Sequence, residues 1–243
     1  RCMNCHAFGN QDPNLSMVYI RGEGGGAILN RNGKLRKLNL KNANMISSSV
    51  YYGFSPSGKY VTFSTNIIIP AFHANPDKRL EVYDSKSDVY VADLDNNRII
   101  SSPLTSDSTH LETFPTFSPD GKYVYYCAAD RKGLESTNLK GLKYSLVRIP
   151  FDEKTGSFGT NIDTLYKERS VCHPKISPDG RYCLFTVADY GTFPIWHPEA
   201  DLYMMDLQTG KVDSLSMVNS EKSDTYHSWS HTSRWFVFAS KRD

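Results

Sequence analysis

The fold is decided by the stretch Pro115-Thr-Phe-Ser-Pro-Asp-Gly-Lys-Tyr-Val-Tyr-Tyr-Cys127, because the chain repeats it. Two close copies span residues 52–64 and 174–186, and a fourth copy at 228–239 has lost the proline and the glycine. Steps of 63, 59 and 53 residues separate the equivalent positions, which are Phe54, Phe117, Ile176 and Trp229. Repeats of this size, each made of strand, turn and strand, are typical of propellers and arrays.

Each copy has the composition of a β-hairpin. In the Ser-Pro-Asp-Gly turn, proline presets φ, aspartate bonds the backbone ahead and glycine accepts a positive φ. The alternating run that follows, Lys122-Tyr-Val-Tyr-Tyr126 in one copy, predicts a half-buried strand. After an insertion, further strands are predicted at 87–94, 144–150 and 201–207, and a turn at 208–211 leads to another strand near 212–215. Four strands per repeat correspond to one propeller blade.

The sequence therefore predicts an all-β fold, a propeller of four-stranded antiparallel blades. We expect a single domain over residues 1–243, with blades at approximately 1–45, 46–108, 109–168, 169–220 and, in part, 221–243. Four blades and the opening hairpin of a fifth are fewer strands than a closed ring normally has. We expect the ring to be incomplete, or to be completed by sequence that is not present. The start at Arg1 likewise predicts a piece of a longer protein.

Composition narrows the class of protein. The 243 residues are long enough for a sizeable core, and 12% of them are aromatic, which favours strands. The net charge of +2 gives no indication of nucleic-acid binding. The longest apolar run, at 66–72, contains a proline and is far shorter than the roughly 18 residues that a membrane span needs. We therefore expect no nucleic-acid partner and no transmembrane segment.

These repeats resemble the TolB-type propeller family, whose repeat has the same Ser-Pro-Asp-Gly-Lys turn before an aromatic-rich strand. The resemblance is good over residues 51–243 and weak over residues 2–40. It implies an extracytoplasmic protein of the bacterial envelope, either periplasmic or associated with the outer membrane or the cell exterior. It implies no settled reaction, since one fold serves many functions.

The chain opens with Cys2-Met-Asn-Cys-His6, the C-x-x-C-H spacing of a covalent c-type haem site. Cys2 and Cys5 would bind the two vinyl groups of one porphyrin, and His6 would be the proximal ligand of the haem iron. Some envelope propellers are similar in having C-x-x-C-H just ahead of the first blade. Haem c is the one cofactor that the sequence predicts; the same cysteines are alternatively a disulfide or an unoccupied remnant of such a site.

The histidines form a second pattern. In a blade, the loop that enters the first strand and the loop between the second and third strands open on the same rim, opposite the Ser-Pro-Asp-Gly turns. Six of the seven histidines fall in such loops, so we expect the entry histidines to surround the mouth of the central channel. The entry histidines are His6, His110, His173 and His227. His73 and His197 lie in the insertions between second and third strands, and His231 alone falls at the opposite edge.

The richest insertion is Asp189-Tyr-Gly-Thr-Phe-Pro-Ile-Trp-His-Pro-Glu-Ala-Asp201. Its aromatic rings and carboxylates suit a sugar or a peptide, although the same aromatic residues also suit simple packing of the loop. Together with the entry histidines, it gives a predicted ligand-binding rim. The residues of that rim are His110, Glu112, His173, Tyr190, Trp196, His197, Glu199 and His227.

Three functions fit this pattern. The first is a binding or scaffold module of the cell envelope that engages a glycan or a protein through the rim. The second is a haem-bearing propeller for electron transfer or sensing. The third is a hydrolase or lyase that uses rim histidines and glutamates with a divalent metal. The sequence has no G-x-S-x-G or H-E-x-x-H motif and assigns no catalytic residue, so we rank the binding module first.

Overall fold

The computed structural model describes residues 2–72, 80–135 and 139–242, and it is built almost entirely of antiparallel strands. The first sheet contains β1 (Cys2–Gly9), β2 (Asp12–Arg21), β3 (Gly26–Arg31) and β4 (Lys34–Leu38). The second contains β5 (Ser49–Phe54), β6 (Tyr60–Phe72), β7 (Leu80–Asp93) and β8 (Arg98–Ile100). The third contains β9 (His110–Phe117), β10 (Tyr123–Asp130), β11 (Ser145–Asp152), β12 (Ser157–Phe158) and β13 (Asp163–Tyr166). The fourth contains β14 (Ser170–Ile176), β15 (Tyr182–Ala188), β16 (Asp201–Asp206) and β17 (Val212–Ser214), and the fifth contains β18 (Asp224–Trp229) and β19 (Phe236–Ser240).

The predicted fold class is confirmed. Within each of the first, second and fourth sheets, the strands pair in chain order, and the fifth sheet is a single hairpin. The third sheet differs from the prediction in one respect, because both β12 and β13 pair with β11 at different points along it. Two short 3-10 turns, at Arg131–Glu135 and Pro194–Trp196, are the helical elements of the described residues, and none of the described helices is long and apolar enough to cross a membrane.

The repeated turn works as its residues predict. The Ser118 hydroxyl donates to the Asp120 carboxylate at 2.6 Å and accepts from the Tyr123 amide at 3.0 Å, while Gly121 adopts a φ of +72°. In the degenerate fourth copy, Ser230 accepts from the Trp235 amide at 3.2 Å, and Ser233 takes the positive φ in place of glycine. The serine, rather than the proline or the glycine, is thus the constant hydrogen-bonding element of the turn.

Successive sheets pack face to face, and the apolar core lies between them in four layers. Met17 and Phe63 belong to the layer between the first and second sheets, and Val124 and Phe151 belong to the next. Tyr144 and Phe185 belong to the layer between the third and fourth sheets, and Leu184 contributes to the last layer. This stacking follows from strands that are apolar on both faces, as the continuous buried pattern of β10 and β15 shows.

Each innermost strand carries a bulge at the same repeat position. The register against the second strand shifts there in all five sheets, and one residue adopts a φ between 51° and 56°. These residues are Cys5, Tyr51, Phe114, His173 and Tyr226. We call them the axial ring, because their side chains stack from sheet to sheet. Ring centroids lie 4.4 Å apart for Tyr51 and Phe114, 4.1 Å for Phe114 and His173, and 4.6 Å for His173 and Tyr226.

The second sheet extends well beyond its neighbours. Pairing of β5 with β6 ends at Ser49 and Thr65, but β6 and β7 continue to pair with each other as far as Phe72 and Leu80. We call the extension, residues 66–72 and 80–87, the arm. The sequence predicted an insertion between the second and third strands here, and the structure shows extensions of β6 and β7 over residues 66–72 and 80–87. His73, one of the predicted rim histidines, lies outside the described residues.

The two ends of the sheet stack are open. One face of the first sheet carries His6, Phe8, Val18, Ile28 and Leu35 around a concavity of about 510 Å³, and no other sheet covers it among the described residues. At the edge that carries the turns, the Gln11 amide donates to the carbonyl of Trp229 at 3.1 Å. The first and fifth sheets therefore approach each other without forming a packed layer between them.

Candidate functional site

The predicted rim exists as an edge of the sheets. His110 lies opposite Asp130, and Ala128 lies opposite both Glu112 and Ser145, so these residues form rows across the third sheet at one edge. The turn that contains Pro119 and Gly121 lies at the other edge. Entry loops and the loops between second and third strands therefore share one edge, which we continue to call the rim.

The four entry histidines lie in four different environments, which differs from the expectation that they surround one mouth. Only His173 belongs to the axial ring, where burial holds the pKa of its imidazole well below the usual range. His110 is exposed and contacts Asp107 at 3.5 Å. His227 is buried, with a ring nitrogen 2.9 Å from the carbonyl of Leu184.

The displacement of His6 and His227 from the axis has a local physical cause. In β1 and β18, the axial position is taken by the residue before the histidine, and neighbouring residues of a strand point to opposite faces. Cys5 and Tyr226 therefore reach the axis, whereas His6 lines the open face of the first sheet and His227 lies between sheets. The expectation that these two histidines lie at the axis corresponds to an alignment in which the bulge of each strand is placed one residue later.

The loop between β15 and β16 does bring predicted residues together, and it adds one that the sequence did not indicate. His197 lies with one ring nitrogen 2.9 Å from Glu81 Oε1 and the other 3.1 Å from Glu199 Oε1. The Tyr190 hydroxyl donates to Glu81 Oε2 at 2.8 Å, and its ring lies 4.7 Å from the His197 ring. Glu81 belongs to the arm, so this cluster joins the second sheet to the fourth across the third.

The protonation state of His197 follows from these contacts. A neutral imidazole donates from one nitrogen only, so the two carboxylates are both satisfied only by the doubly protonated ring. Burial by itself lowers the pKa of His197, but the carboxylates of Glu199 and Glu81 outweigh it and raise the pKa above its ordinary value. With both nitrogens occupied, His197 has no lone pair for a metal or for proton abstraction. It acts here as a buried cation.

The same loop carries two other aromatic residues, Phe193 and Trp196, of which Trp196 was predicted for the rim. Phe193 packs on the axial ring, with its centroid 5.4 Å from Phe114 and 6.4 Å from Tyr51. Trp196 faces away from the cluster toward the fifth sheet, where Lys241 Nζ lies 3.1 Å from the centre of its ring. The arm and this loop therefore cover the rim end of the axis from two sides.

Buried polar atoms without hydrogen-bond partners lie on the arm and in the third sheet. Asp84 accepts from the Asn66 amide through Oδ2 at 2.9 Å, and Asn66 also donates to Thr113 at 3.0 Å, but Asp84 Oδ1 makes no hydrogen bond within the described part of the chain. The same holds for Glu112 Oε2 and the Tyr144 hydroxyl. All three side chains are fully or almost fully buried.

Burial is the first cause of the raised pKa of each of these three groups. Burial raises the pKa of Asp84 to about 7, against the opposing hydrogen bond from Asn66. Burial, reinforced by the charge of Asp88, raises the pKa of Glu112 to about 9. Burial, reinforced by the charges of Asp84, Cys127 and Glu112, raises the pKa of Tyr144 well above its usual range. Such unmatched buried groups are rare in native proteins and indicate water or a ligand.

The predicted haem site does not have the geometry that haem c requires. Cys5 packs toward the core layer between the first and second sheets, and burial raises the pKa of its thiol. His6 lines the opposite face of the same sheet. The Cys5 sulfur and the His6 imidazole therefore cannot face one porphyrin while β1 stays paired with β2. The side chain of Cys2 is not among those described.

The described residues also give no support to the hypothesis of a metal-dependent hydrolase or lyase. Over residues 2–72, 80–135 and 139–242, no three histidine, cysteine or acidic side chains are grouped so that they could hold a metal ion.

Comparisons with known proteins identify the fold. The structure is similar to that of a putative TolB from Agrobacterium tumefaciens, with a TM-score of 0.57 and 18% identity over 87% of this chain and 64% of that one. It is also similar to TolB from Acinetobacter baumannii, with a TM-score of 0.54 and 16% identity over 93% of this chain and 46% of that one. The chain has a TolB-like β-propeller fold. It spans less than two thirds of either TolB structure.

Sequence comparison adds little to the fold assignment. No family model matches the chain. A stretch of 56 residues is 38% identical to dipeptidyl-peptidase 5 of Porphyromonas endodontalis, but it covers 23% of this chain and only 8% of that protein. A match of that extent corresponds to about one blade and says nothing of a peptidase reaction.

Proposed function

We propose that this chain is a binding or scaffold propeller of the bacterial cell envelope, which holds a protein or glycan partner at the rim end of its axis. The observation that carries the proposal is the set of unpartnered buried oxygens of Asp84 on the arm and of Glu112 and Tyr144 in or next to the strands of the third sheet. Each such group costs about 1–3 kcal/mol of stability, and a fold tolerates that cost most readily where a ligand supplies the missing partner. The TolB-like fold supports the envelope location.

The chemistry of the site favours a ligand with hydrogen-bond donors. Carboxyl oxygens accept from hydroxyl, amide or ammonium groups, and the nearby rings of Phe193 and Tyr51 offer apolar faces. Sugars and peptides both combine these features. A rigid ring of sheets that presents loops at one edge is a common support for such binding.

The test uses the unpartnered hydroxyl of Tyr144. Peptidoglycan and lipopolysaccharide fragments and a peptide library are screened for binding, and each binder is measured by calorimetry against Tyr144→Phe. We expect unchanged stability, because this hydroxyl makes no hydrogen bond within the described chain, and about tenfold weaker binding. Tyr60→Phe is the control, since its hydroxyl bonds the carbonyl of Glu153 at the opposite edge. Binding that is equally strong in Tyr144→Phe, or the absence of any binder, contradicts the proposal.

The haem alternative remains a prediction of the C-x-x-C-H motif, and it requires β1 to leave the first sheet. Protein made with a competent haem-attachment system is examined by visible absorption after acid–acetone extraction. A Soret band that survives extraction supports covalent haem on Cys2 and Cys5. Colourless protein leaves the binding module as the remaining candidate.

A further inference from the structure

One position of the repeat carries a lysine in the fourth sheet and a small, uncharged residue in each of the other four sheets. The position lies two residues after the axial ring, on the innermost strand, and Lys175 occupies it in β14. Its equivalents in the other sheets are Ala7, Gly53, Thr116 and Ser228. The repeat therefore folds without a cation at this position, and the lysine is a property of one blade.

The side chain of Lys175 lies in the layer between the fourth and fifth sheets, which we call the seam. Lys175 pairs across the sheet with Leu184, and residues paired in this way share a face. Leu184 is fully buried in the seam together with Trp229 of β18. A ring nitrogen of His227, also in β18, lies 2.9 Å from the Leu184 carbonyl, and Trp229 donates to the carbonyl of Lys175 at 3.0 Å. Strand β18 therefore covers this part of the fourth sheet, and Lys175 is only partly exposed.

The Lys175 ammonium group has no partner of its own. Burial lowers its pKa, and within the described part of the chain neither a carboxylate nor a hydrogen bond acts on that value. Each acidic side chain in the strands of the two sheets is paired with another cation. These pairs are Arg169 with Asp201, Arg181 with Asp206, Lys211 with Asp213, and Arg242 with Asp224. The charge of Lys175 is thus not balanced by either sheet, although buried charges are normally paired.

His227 adds a second nitrogen without a partner. The nitrogen that faces the Leu184 carbonyl must carry the hydrogen, because a carbonyl only accepts, so the other nitrogen of the neutral ring has a lone pair. That atom, Nδ1, is buried and makes no hydrogen bond with the described residues. Burial, with a smaller contribution from the charge of Lys175, lowers the pKa of His227 to about 4, so the ring is neutral at neutral pH. Two unpartnered nitrogens on facing strands indicate that a group is missing from the seam.

We propose that Lys175 is the counter-ion of an oxyanion site in the seam, and that the ligand of this site carries a carboxylate or a phosphate group. An oxyanion supplies both the opposite charge and the hydrogen-bond acceptors that an ammonium group needs. Lys175 lies two residues before the turn that begins at Ser177, so the site is near the edge opposite the rim. It is therefore separate from the ligand site proposed above.

The first test measures the binding of inorganic phosphate and of acetate, each as the concentration dependence of the thermal unfolding temperature at constant ionic strength. We expect at least one of the two anions to bind, and Lys175→Met to bind it at least about tenfold more weakly, because methionine removes the charge and keeps most of the length of the side chain. The control is Lys211→Met, at a 71% exposed lysine of the same sheet, which should bind as the unaltered chain does. The anion that binds identifies the ligand as a carboxylate, a phosphate, or either.

The second test uses the unaltered chain. Lysines are acylated with an N-hydroxysuccinimide ester, and the modified positions are followed by mass spectrometry with and without the anion that binds. Only the neutral amine reacts, and a bound anion favours the charged form, so acylation of Lys175 should slow by about fivefold or more. Acylation of Lys211 should keep its rate, since this exposed side chain already contacts Asp213 at 2.9 Å.

Three results would overturn the proposal. They are the absence of binding of both anions, equal binding in Lys175→Met, and an acylation rate of Lys175 that no bound anion changes. We expect Lys175→Met to fold, because replacing an unpaired buried cation by an apolar side chain removes a desolvation cost. If it does not fold, the acylation rate of Lys175 in the unaltered chain decides between the outcomes. Tyr144→Phe, at the other proposed site, should leave anion binding unchanged, so the two sites can fail independently.

Discussion

Phe8 and Phe117 are the same residue at the same position of the repeat, yet one is 52% exposed and the other 5% exposed. Phe117 packs against the Phe151 ring at 5.3 Å in the layer between the second and third sheets. Phe8 lies on the outer face of the first sheet, beside the 510 Å³ concavity, with His6 as its aromatic neighbour at 6.1 Å. The repeat therefore determines on which face of a sheet a side chain lies, whereas burial of that side chain depends on whether another sheet covers the face.

The same contrast separates the polar groups of the two regions. On the outer face, Ser16 and Asn30 bond each other at 3.4 Å at the surface. Asp84 on the arm, Glu112 in β9 and Tyr144 in the layer between the third and fourth sheets are buried with unmatched oxygens. A polar side chain at the open end therefore lowers the stability of the fold little, whereas an unpaired buried one lowers it more. The buried polar groups are for this reason the ones that indicate function.

The largest effect expected from this comparison is at the two phenylalanines. Phe117→Ala leaves a cavity in a packed layer and should lower the free energy of unfolding by about 3–5 kcal/mol. Phe8→Ala, the matched control, should lower it by less than about 1 kcal/mol, because little apolar area is lost from contact with protein. Urea denaturation followed by circular dichroism measures both. Equal losses would show that the first sheet is covered in solution.

Much of the fold was predictable because the repeat acts locally. The Ser-Pro-Asp-Gly turns and the alternating strands after them need only neighbours within a few residues, so four sheets and a hairpin follow from the sequence. The bulge was not predictable in the same way. It places Cys5 at the axis in one strand and His173 in another, and no residue type is common to all five positions.

The candidate site was predictable only in part. Tyr190, His197 and Glu199 were indicated by one rich loop, and they do lie together. Glu81 lies 116 residues before His197 in the chain, and Asp84 follows it on the same arm. No local pattern reports a contact of that separation. The sequence indicated an insertion between the second and third strands of this blade, but nothing in it indicated that the insertion reaches a loop of another blade.

The next effect concerns a buried carboxyl group. Glu112 has a pKa of about 9 in the folded chain and near 4.3 when unfolded, so its presence lowers stability progressively as pH rises between these values. Glu112→Gln should therefore raise the free energy of unfolding by about 1–3 kcal/mol at pH 8 and by much less at pH 5. Glu23→Gln, at an exposed residue of the first sheet, is the control and should change neither value. A Glu112→Gln effect independent of pH would contradict the assignment.

A smaller effect separates a bonded hydroxyl from an unbonded one. Tyr190→Phe removes the hydrogen bond to Glu81 and should cost about 1–2 kcal/mol, because the acceptor is a buried carboxylate. Tyr144→Phe removes a hydroxyl that has no partner within the described residues and should be neutral or slightly stabilising. Thermal denaturation of the two variants in parallel gives the difference. A loss in Tyr144→Phe as large as in Tyr190→Phe would reveal a partner for its hydroxyl.

The smallest effect on stability is expected at the open face of the first sheet. Leu35, 73% exposed, borders the concavity beside Phe8, and Leu35→Lys should change the free energy of unfolding by no more than about 0.5 kcal/mol. Contiguous exposed apolar surface promotes association, so the same substitution should reduce concentration-dependent association in light scattering. Met217→Lys removes an isolated, 98% exposed side chain elsewhere and should leave association unchanged. If both variants behave alike, exposure of single residues, rather than an uncovered sheet face, governs association.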